Sequence, residues 1–317
     1  MASSNRDPQF AAFLAAVVIS VGSTACNDPT APGLGSRPVV FMQLADGWKL
    51  YRVGLAGSRP QLLGSSQLPA IHPAVSPDGQ FVAYVHEAAD GGVEVVTLRT
   101  GNVTKPYPDA AVDQIAWSPA QDQLVLALPF WGSGPGAGGL RVLTLANGNT
   151  QDIAPDLIEP AWSPDGSTIL AVSGLFRTRE PGIYALNPDG SNVRLVVSAK
   201  GMGIRGPSWS PDGSRIAFSR GVHGAHFIYT ALVAAVGARR LTYPDSTPGL
   251  FTDLKPVWSP DGSWIAFSRE HAVCRGTCVG RYDIFAVRVS VVGIEVGPLR
   301  LKNLTRDAEW GGAFPSW

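Results

Sequence analysis

Apolar and polar positions alternate over short stretches of the chain, and a Pro- and Gly-containing turn separates one stretch from the next. The clearest case is PVWSPDGSWIAFSR at residues 256–269, where one strand ends at Trp258 and a second follows a Ser-Pro-Asp-Gly turn. A period of two places successive side chains on opposite faces of a strand. The same phrase recurs, closely or loosely, and its opening also ends the chain: 73–85, 115–128, 160–172, 207–220 and 315–317.

These repeats share an aligned position that is usually tryptophan. The aligned residues are Val75, Trp117, Trp162, Trp209, Trp258 and Trp317. The spacing between successive aligned residues is the length of one repeat unit. Units of this length with four short strands each are typical of a β-propeller. We interpret the tryptophans as apolar wedges between blades.

The two ends of the chain complement each other in this scheme. Residues 38–44, 48–55 and 59–63 indicate the second to fourth strands of a unit, and 310–317 indicates a first strand without followers. Together they predict an all-β, six-bladed β-propeller over residues 37–317, with the last blade closed by the N- and C-terminal strands, which leaves no open sheet edge.

The repeated turn has a direct physical interpretation. Proline presets φ, the aspartate bonds local amides, and glycine takes the positive φ of a tight reversal. A calcium-ligand role for the four aspartates is less consistent with the pattern, because each belongs to a different unit: Asp78, Asp165, Asp212 and Asp261.

The WSPDG-x-x-IAF pattern resembles the TolB-type, WD40-like propeller repeat of exported bacterial proteins. The resemblance implies the propeller fold and a role in binding, since the propeller of TolB docks envelope lipoproteins. The separate N-terminal domain of TolB has no counterpart in this sequence, so a role in the Tol system itself is not implied.

The N-terminal segment has the features of an export signal. Residues 10–21 are apolar, and small residues follow them. Ser23-Thr24-Ala25-Cys26 resembles the lipobox of bacterial lipoproteins, which implies lipidation of Cys26, although Ser23 replaces the usual leucine. We expect a signal peptide at 1–26, a flexible tether at 27–36, and a membrane-anchored lipoprotein in the periplasm or on the cell surface. An ordinary cleaved signal is the alternative.

Cys274 and Cys278 are separated by three residues, and an exported protein meets an oxidising compartment. We expect them to form a disulfide, since a metal site would need further ligands and only His271 is near.

The chain has 25 basic and 25 acidic residues. This balance argues against a nucleic acid partner, because phosphate binding needs a concentrated positive surface. We expect no cofactor and a monomeric protein whose only contact with the membrane is its lipid anchor.

The longer loops all fall on the face where the innermost strands begin, and loop elaboration on one face favours function there. The channel mouth lies on this face, three residues before the aligned tryptophans and beside them. The candidate binding residues for a peptide or small polar ligand are His72, Gln114, Glu159, Arg205, Asp253, Lys255, Glu309, Trp310, Trp131 and Arg177. Solvated strand ends around a water-filled channel are the alternative interpretation.

All five histidines map to that face, which raises the hypothesis of a metal site at His223, His226 or His271. No carboxylate is fixed by spacing to the histidine pair, so we predict no metal. A Gly-x-Ser-x-Gly nucleophile elbow is absent from the sequence, and no catalytic residue is assigned.

The leading hypothesis is a non-enzymatic scaffold that binds an envelope protein or peptide. The alternative is a polysaccharide lyase or hydrolase that uses His72, Glu159 and Lys255 or a histidine-bound metal. A third reading is a structural envelope component without a dedicated ligand.

Overall fold

The computed structural model describes the chain in segments that cover most of the repeats. The described residues are 39–44, 48–53, 61–65, 70–78, 80–86, 92–97, 100, 102–108, 112–120, 122–129, 138–173, 179–222, 225–234, 237–243, 251–275, 277–289, 301–305 and 313–316. These segments form strands and turns, and none contains a helix long and apolar enough to cross a bilayer. The expected signal peptide and tether lie outside the described residues.

The described strands assemble into four-stranded antiparallel sheets. The strands are β1 (Val39–Leu44), β2 (Trp48–Val53), β3 (Gln61–Ser65), β4 (Ala70–Val75), β5 (Phe81–His86), β6 (Val93–Thr97), β7 (Val103–Tyr107), β8 (Gln114–Trp117), β9 (Gln123–Leu128), β10 (Gly139–Thr144), β11 (Thr150–Ala154), β12 (Ile158–Trp162), β13 (Ile169–Ser173), β14 (Gly182–Leu186), β15 (Arg194–Ser198), β16 (Gly203–Trp209), β17 (Arg215–Val222), β18 (Ala225–Leu232), β19 (Ala238–Arg240), β20 (Phe251–Trp258), β21 (Trp264–Arg275), β22 (Thr277–Arg288), β23 (Leu301–Asn303) and β24 (Ala313–Ser316). The sheet orders are β24-β1-β2-β3, β4-β5-β6-β7, β8-β9-β10-β11, β12-β13-β14-β15, β16-β17-β18-β19 and β20-β21-β22-β23.

One sheet combines both ends of the described chain. Strand β24 pairs antiparallel with β1, with Val40 opposite Ser316 and Met42 opposite Ala313. This pairing confirms that the C-terminal segment supplies the strand that precedes β1 in its sheet.

Neighbouring sheets pack face to face at five described junctions. The first strand of one sheet lies across the sheet before it: β8 on β4 and β5, β12 on β8 and β9, β16 on β12 and β13, β20 on β16 and β17, and β24 on β20 and β21. These junctions establish an all-β propeller architecture. The apolar core therefore lies between the sheets, as the alternating pattern predicts.

The aligned tryptophans help to fix these junctions, as their interpretation as wedges predicts. Trp117 Nε1 donates a hydrogen bond to the Ala74 carbonyl of the preceding sheet at 2.8 Å. Trp209 Nε1 donates to the Ala161 carbonyl in the same way at 3.1 Å. Each ring thus buries apolar area and also bonds the neighbouring backbone.

The Ser-Pro-Asp-Gly turns are held together by their own side chains. In the turn at Ser210, the hydroxyl donates to Asp212 Oδ1 at 2.5 Å, and Asp212 Oδ1 accepts from the Ser214 amide at 3.1 Å. Hydrogen bonds from Ser210 and Ser214 lower the pKa of Asp212 to about 2. Equivalent serine-to-aspartate bonds occur at Ser76, Ser163 and Ser259. The aspartates thus act as turn-formers.

The turns of successive sheets also pack against one another. Gly166, Gly213 and Gly262 have φ of 75°, 68° and 69°, and a Cβ there would lie 3.6, 4.0 and 3.7 Å from the proline of the preceding turn. Glycine supplies the positive φ that the reversal needs. This side of the propeller, the turn face, is thereby built from short turns in contact.

Candidate functional site

The innermost strands are irregular three residues before the aligned tryptophan. Glu159, Gly206 and Lys255 occupy this position in β12, β16 and β20, with φ of 52°, 57° and 51°. The pairing register of each strand shifts at the same point. A bulge of this kind redirects a side chain, and the left-handed backbone costs Glu159 and Lys255 about 1 kcal/mol each. The predicted channel mouth thus falls on strained bulges of the inner strands.

Glu159 connects three successive sheets. Its Oε2 accepts a hydrogen bond from the Gly206 amide at 2.5 Å and lies 3.6 Å from Lys255 Nζ. Burial alone would raise the pKa of this carboxyl, but Lys255, Arg205 and the Gly206 amide outweigh it and hold the pKa below its usual value. Glu159 is therefore a buried, ionised carboxylate whose neighbours lie in β12, β16 and β20.

The glycine at the middle bulge is required by this arrangement. A Cβ on Gly206 would lie 3.3 Å from the Cα and 3.4 Å from the Cδ of Lys255. Such a contact is tight, and an L-residue would add strain at the positive φ. Glycine therefore lets Lys255 pass close to β16 on its way to Glu159.

Three further titratable groups surround Glu159. Burial raises the pKa of Asp113, and Glu159 adds to this effect while Lys255 opposes it. Burial lowers the pKa of His226, and Arg205 adds to this effect while Glu159 opposes it. Neither ring nitrogen of His226 has a hydrogen-bond partner, and the ring lies against Gly203. Arg205 is exposed at the rim.

Asp253 has an internal partner. It is fully buried, and its carboxylate accepts from Arg269 Nε at 2.6 Å and from Arg269 Nη2 at 2.9 Å. The two residues lie directly opposite each other in β20 and β21. A bidentate pair of this type joins β20 to β21, which gives Asp253 a structural contact.

The structure brings together some of the residues that the sequence predicts for the site. Glu159, Lys255 and Arg205 form one electrostatic group, Asp253 is buried two residues before Lys255 in β20, and Gln114 is half-buried at the start of β8. For His72, at the register shift of β4, only the backbone is described. The remaining candidates lie outside the described residues: Trp131, Arg177, His223, Glu309 and Trp310.

Sequence reasoning missed Asp113, beside the predicted Gln114, and Arg269, the partner of Asp253. A signal for Arg269 was present, because the repeat phrase itself ends in Ser-Arg at both Arg220 and Arg269. Asp113 had no such signal.

The predicted metal and disulfide residues are only partly described. Within the described residues, no three His, Cys, Asp or Glu side chains are grouped closely enough to hold a metal ion. For His271, Cys274 and Cys278 only the backbone is described, and Cys274 lies directly opposite Cys278 in the β21–β22 pair.

The mouth is suited to binding a polar group in a fixed orientation. An ionised carboxylate, an ammonium group and an exposed guanidinium come from adjacent strands, and buried contacts restrain the first two. His226 has a depressed pKa and free ring nitrogens, so it is able to accept one hydrogen bond and donate another.

Comparison with known proteins identifies the fold. Residues 139–274 match the family model described as the TolB beta propeller domain. TolB from Acinetobacter baumannii superposes with a TM-score of 0.69 at 20% identity, over 91% of this chain and 68% of that chain. A TolB candidate from Agrobacterium tumefaciens superposes with a TM-score of 0.64 at 16% identity, over 88% of this chain and 93% of that chain. An oligogalacturonate lyase in complex with manganese superposes with a TM-score of 0.53 at 19% identity, over 78% of this chain and 70% of that chain. The chain thus shares the propeller fold of these proteins, and residues 139–274 match the TolB propeller family model.

Replacing Lys255 tests the electrostatic link at the mouth. We expect Lys255→Met to destabilise the fold by about 1–3 kcal/mol at pH 7, because the buried Glu159 carboxylate loses its cation. Because the pKa of Glu159 is lowered in the folded state, its contribution is full above the unfolded pKa, about 4.5, and is lost as the pH falls through the folded pKa. The deficit of the variant should therefore shrink below about pH 4.5.

Chemical denaturation at several pH values measures this effect. The matched control is Asp152→Asn, which breaks the ion pair between Asp152 and Arg141. The Asp152 side chain is 62% exposed, so this substitution should lower the free energy of unfolding by less than about 1 kcal/mol. A deficit in Lys255→Met that is equal at pH 7 and pH 3 would contradict the assignment.

Proposed function

We propose that this protein is a non-enzymatic binding scaffold of the bacterial cell envelope, whose channel mouth and surrounding loops engage a protein or peptide partner. The observation that carries the proposal is the Glu159–Lys255–Arg205 group, which adjacent inner strands present on strained bulges. Backbone strain that is held in place by surrounding contacts is concentrated at functional sites.

The physics of the mouth favours recognition of a polar segment. Buried bonds already fix Glu159 and Lys255, so little side-chain entropy is lost when a ligand binds. Arg205 adds an exposed charge that can steer a complementary partner and fix its register. The likeness to TolB structures supports a binding role, and export to the envelope is part of the same proposal.

A second candidate function is a sugar-directed lyase or hydrolase. It is favoured by the unpartnered imidazole of His226 beside Glu159 and by the structural likeness to an oligogalacturonate lyase that was solved with manganese. Native mass spectrometry after incubation with manganese separates the two functions. Stoichiometric binding that is lost in His226→Ala supports the enzyme, whereas capture of a partner without metal dependence supports the scaffold.

Partner capture tests the leading proposal. The full-length chain and its Arg205→Glu variant are cross-linked in envelope fractions, and a specific partner should be retained by the first and lost by the second. The matched control is Arg194→Glu, because Arg194 is also an exposed arginine but lines a groove among the turns of the opposite face. Equal loss in both variants, or no partner with either, would contradict a site at the mouth.

We further propose that the protein is anchored through lipidated Cys26 and that Cys274 and Cys278 form a disulfide. The backbone register of β21 and β22 supports the bond, because it places the two residues opposite each other. The intact mass of the mature protein tests both ideas. It should include a lipid modification and be smaller by two hydrogens than after reduction, and a mass without either feature would count against them.

The finer architecture is also a proposal: all six sheets close into one ring of six blades in a monomer, with the β24–β1–β2–β3 sheet as the closing blade. Deleting residues 310–317 should then lower the melting temperature of the whole domain, since both the edge of β1 and the face of the β20–β23 sheet lose their cover. An unchanged melting temperature in the truncated chain would refute closure.

A further inference from the structure

Two arginines occupy the same position in successive repeats. Arg220 and Arg269 each lie eleven residues after the aligned tryptophan, as the last residue of Phe-Ser-Arg in β17 and β21. Because the two arginines have the same place in the repeat and in the strand pairing, the environment of one serves as an internal reference for the other.

In the β20–β23 sheet, the arginine is neutralised within the protein. Asp253 and Asp283 lie opposite Arg269 on the two neighbouring strands. Asp253 forms the bidentate pair described above, and Arg269 is only 3% exposed. In this sheet, the buried guanidinium at this repeat position therefore binds a carboxylate from the neighbouring strand.

In the β16–β19 sheet, the carboxylates of this row are replaced by apolar residues. Ile204 and Phe227 lie opposite Arg220 at the positions of Asp253 and Asp283. The Arg220 guanidinium lies 5.5 Å from the centre of the Tyr229 ring, and its Nε is buried without a hydrogen-bond acceptor. This sheet therefore keeps the arginine but has apolar residues at the two positions where the next sheet has aspartates.

A second arginine approaches the same face of β18. Arg240 lies opposite Tyr229 on β19, and its guanidinium lies 3.5 Å from the centre of the Phe227 ring and 4.8 Å from that of Tyr243. Its Nε donates to the Thr242 carbonyl at 2.7 Å, but its Nη2 is buried without an acceptor. Phe227 and Tyr229 are two residues apart and thus share a face of the strand.

This arrangement is incomplete without an anion. Each buried N–H that lacks an acceptor destabilises the folded state. The aromatic rings exclude water from one side of each guanidinium and strengthen its attraction for a charged acceptor. Planar guanidinium groups bind oxyanions through two parallel hydrogen bonds, as Arg269 does with Asp253.

We propose that Arg220 on β17 and Arg240 on β19 form a carboxylate-binding site on one face of the β16–β19 sheet. The class of ligand follows from the internal reference, in which the same repeat position binds a carboxylate. The site is separate from the Glu159–Lys255–Arg205 group on the inner strands, and it does not depend on the function proposed for that group.

Calorimetric titration of the full chain with tetraglutamate tests the site, with tetraglutamine as the uncharged probe. Binding of tetraglutamate should weaken at least tenfold in Arg220→Met and in Arg240→Met. Arg239→Met should retain it, because this exposed neighbour on β19 alternates to the opposite face of the strand. No binding by the unaltered protein, or equal weakening in Arg239→Met, would overturn the proposal. Binding of inorganic phosphate without binding of tetraglutamate would also overturn it.

A gain-of-partner variant provides an independent check. Ile204→Asp places in the β16–β19 sheet the residue that Asp253 supplies to the next sheet. If the proposal is right, the new carboxylate forms an internal ion pair with Arg220. Tetraglutamate binding then falls at least tenfold while the fold is kept. A folded Ile204→Asp protein that binds tetraglutamate as before contradicts the proposal, and the two methionine variants decide the matter if Ile204→Asp does not fold.

Discussion

No sheet of this protein can bury both of its faces alone, and the packing of one sheet on the next is the constraint on which the rest depends. Central residues such as Ala217 and Phe218 point to opposite faces of β17, and both are fully buried, in contact with different neighbouring sheets. Burial of this apolar area is the main favourable contribution to folding. The bond from Trp209 to the Ala161 carbonyl joins two of these sheets directly.

The two ends of an inner strand reflect this packing in different ways. On the turn face, the glycine of a turn lies beside the proline of the preceding turn, and this contact repeats at Gly166, Gly213 and Gly262. At the other end, the pairing register of the inner strand shifts at a bulge, and the bulged position carries glutamate, glycine or lysine in different sheets. The scaffold is therefore uniform where sheets must fit together and variable where side chains reach the channel. Arg269 and Arg220 show the same freedom away from the channel, since one repeat position is internally neutralised in one sheet and open in the next.

The sequence predicted the parts of the structure that are local and repeated. The turn chemistry of Ser210, Asp212 and Gly213 could be deduced because all its bonds lie within a few residues. The contribution of the C-terminal segment to the first sheet was also predictable, since one end lacked a first strand and the other lacked its followers. Glu159 and Lys255 were identified as mouth residues, but their mutual contact was not, because it spans two sheet junctions and depends on an unpatterned bulge. Asp253 looked like a rim residue in the sequence because its partner, Arg269, is adjacent only after β20 and β21 pair.

The pairing of β24 with β1 has a consequence for the order in which the chain can fold. Val40 and Ser316 lie at opposite ends of the described chain and yet are direct neighbours in one sheet. Contacts between residues so distant in sequence carry a high loop-closure entropy and form slowly. The intermediate sheets can stack as they are synthesised, but the first sheet acquires its fourth strand only after residues 313–316 have been made. Until then the edge of β1 and the face of the β20–β23 sheet stay open to other chains, so the end of synthesis is the step at which this protein is most exposed to misassembly.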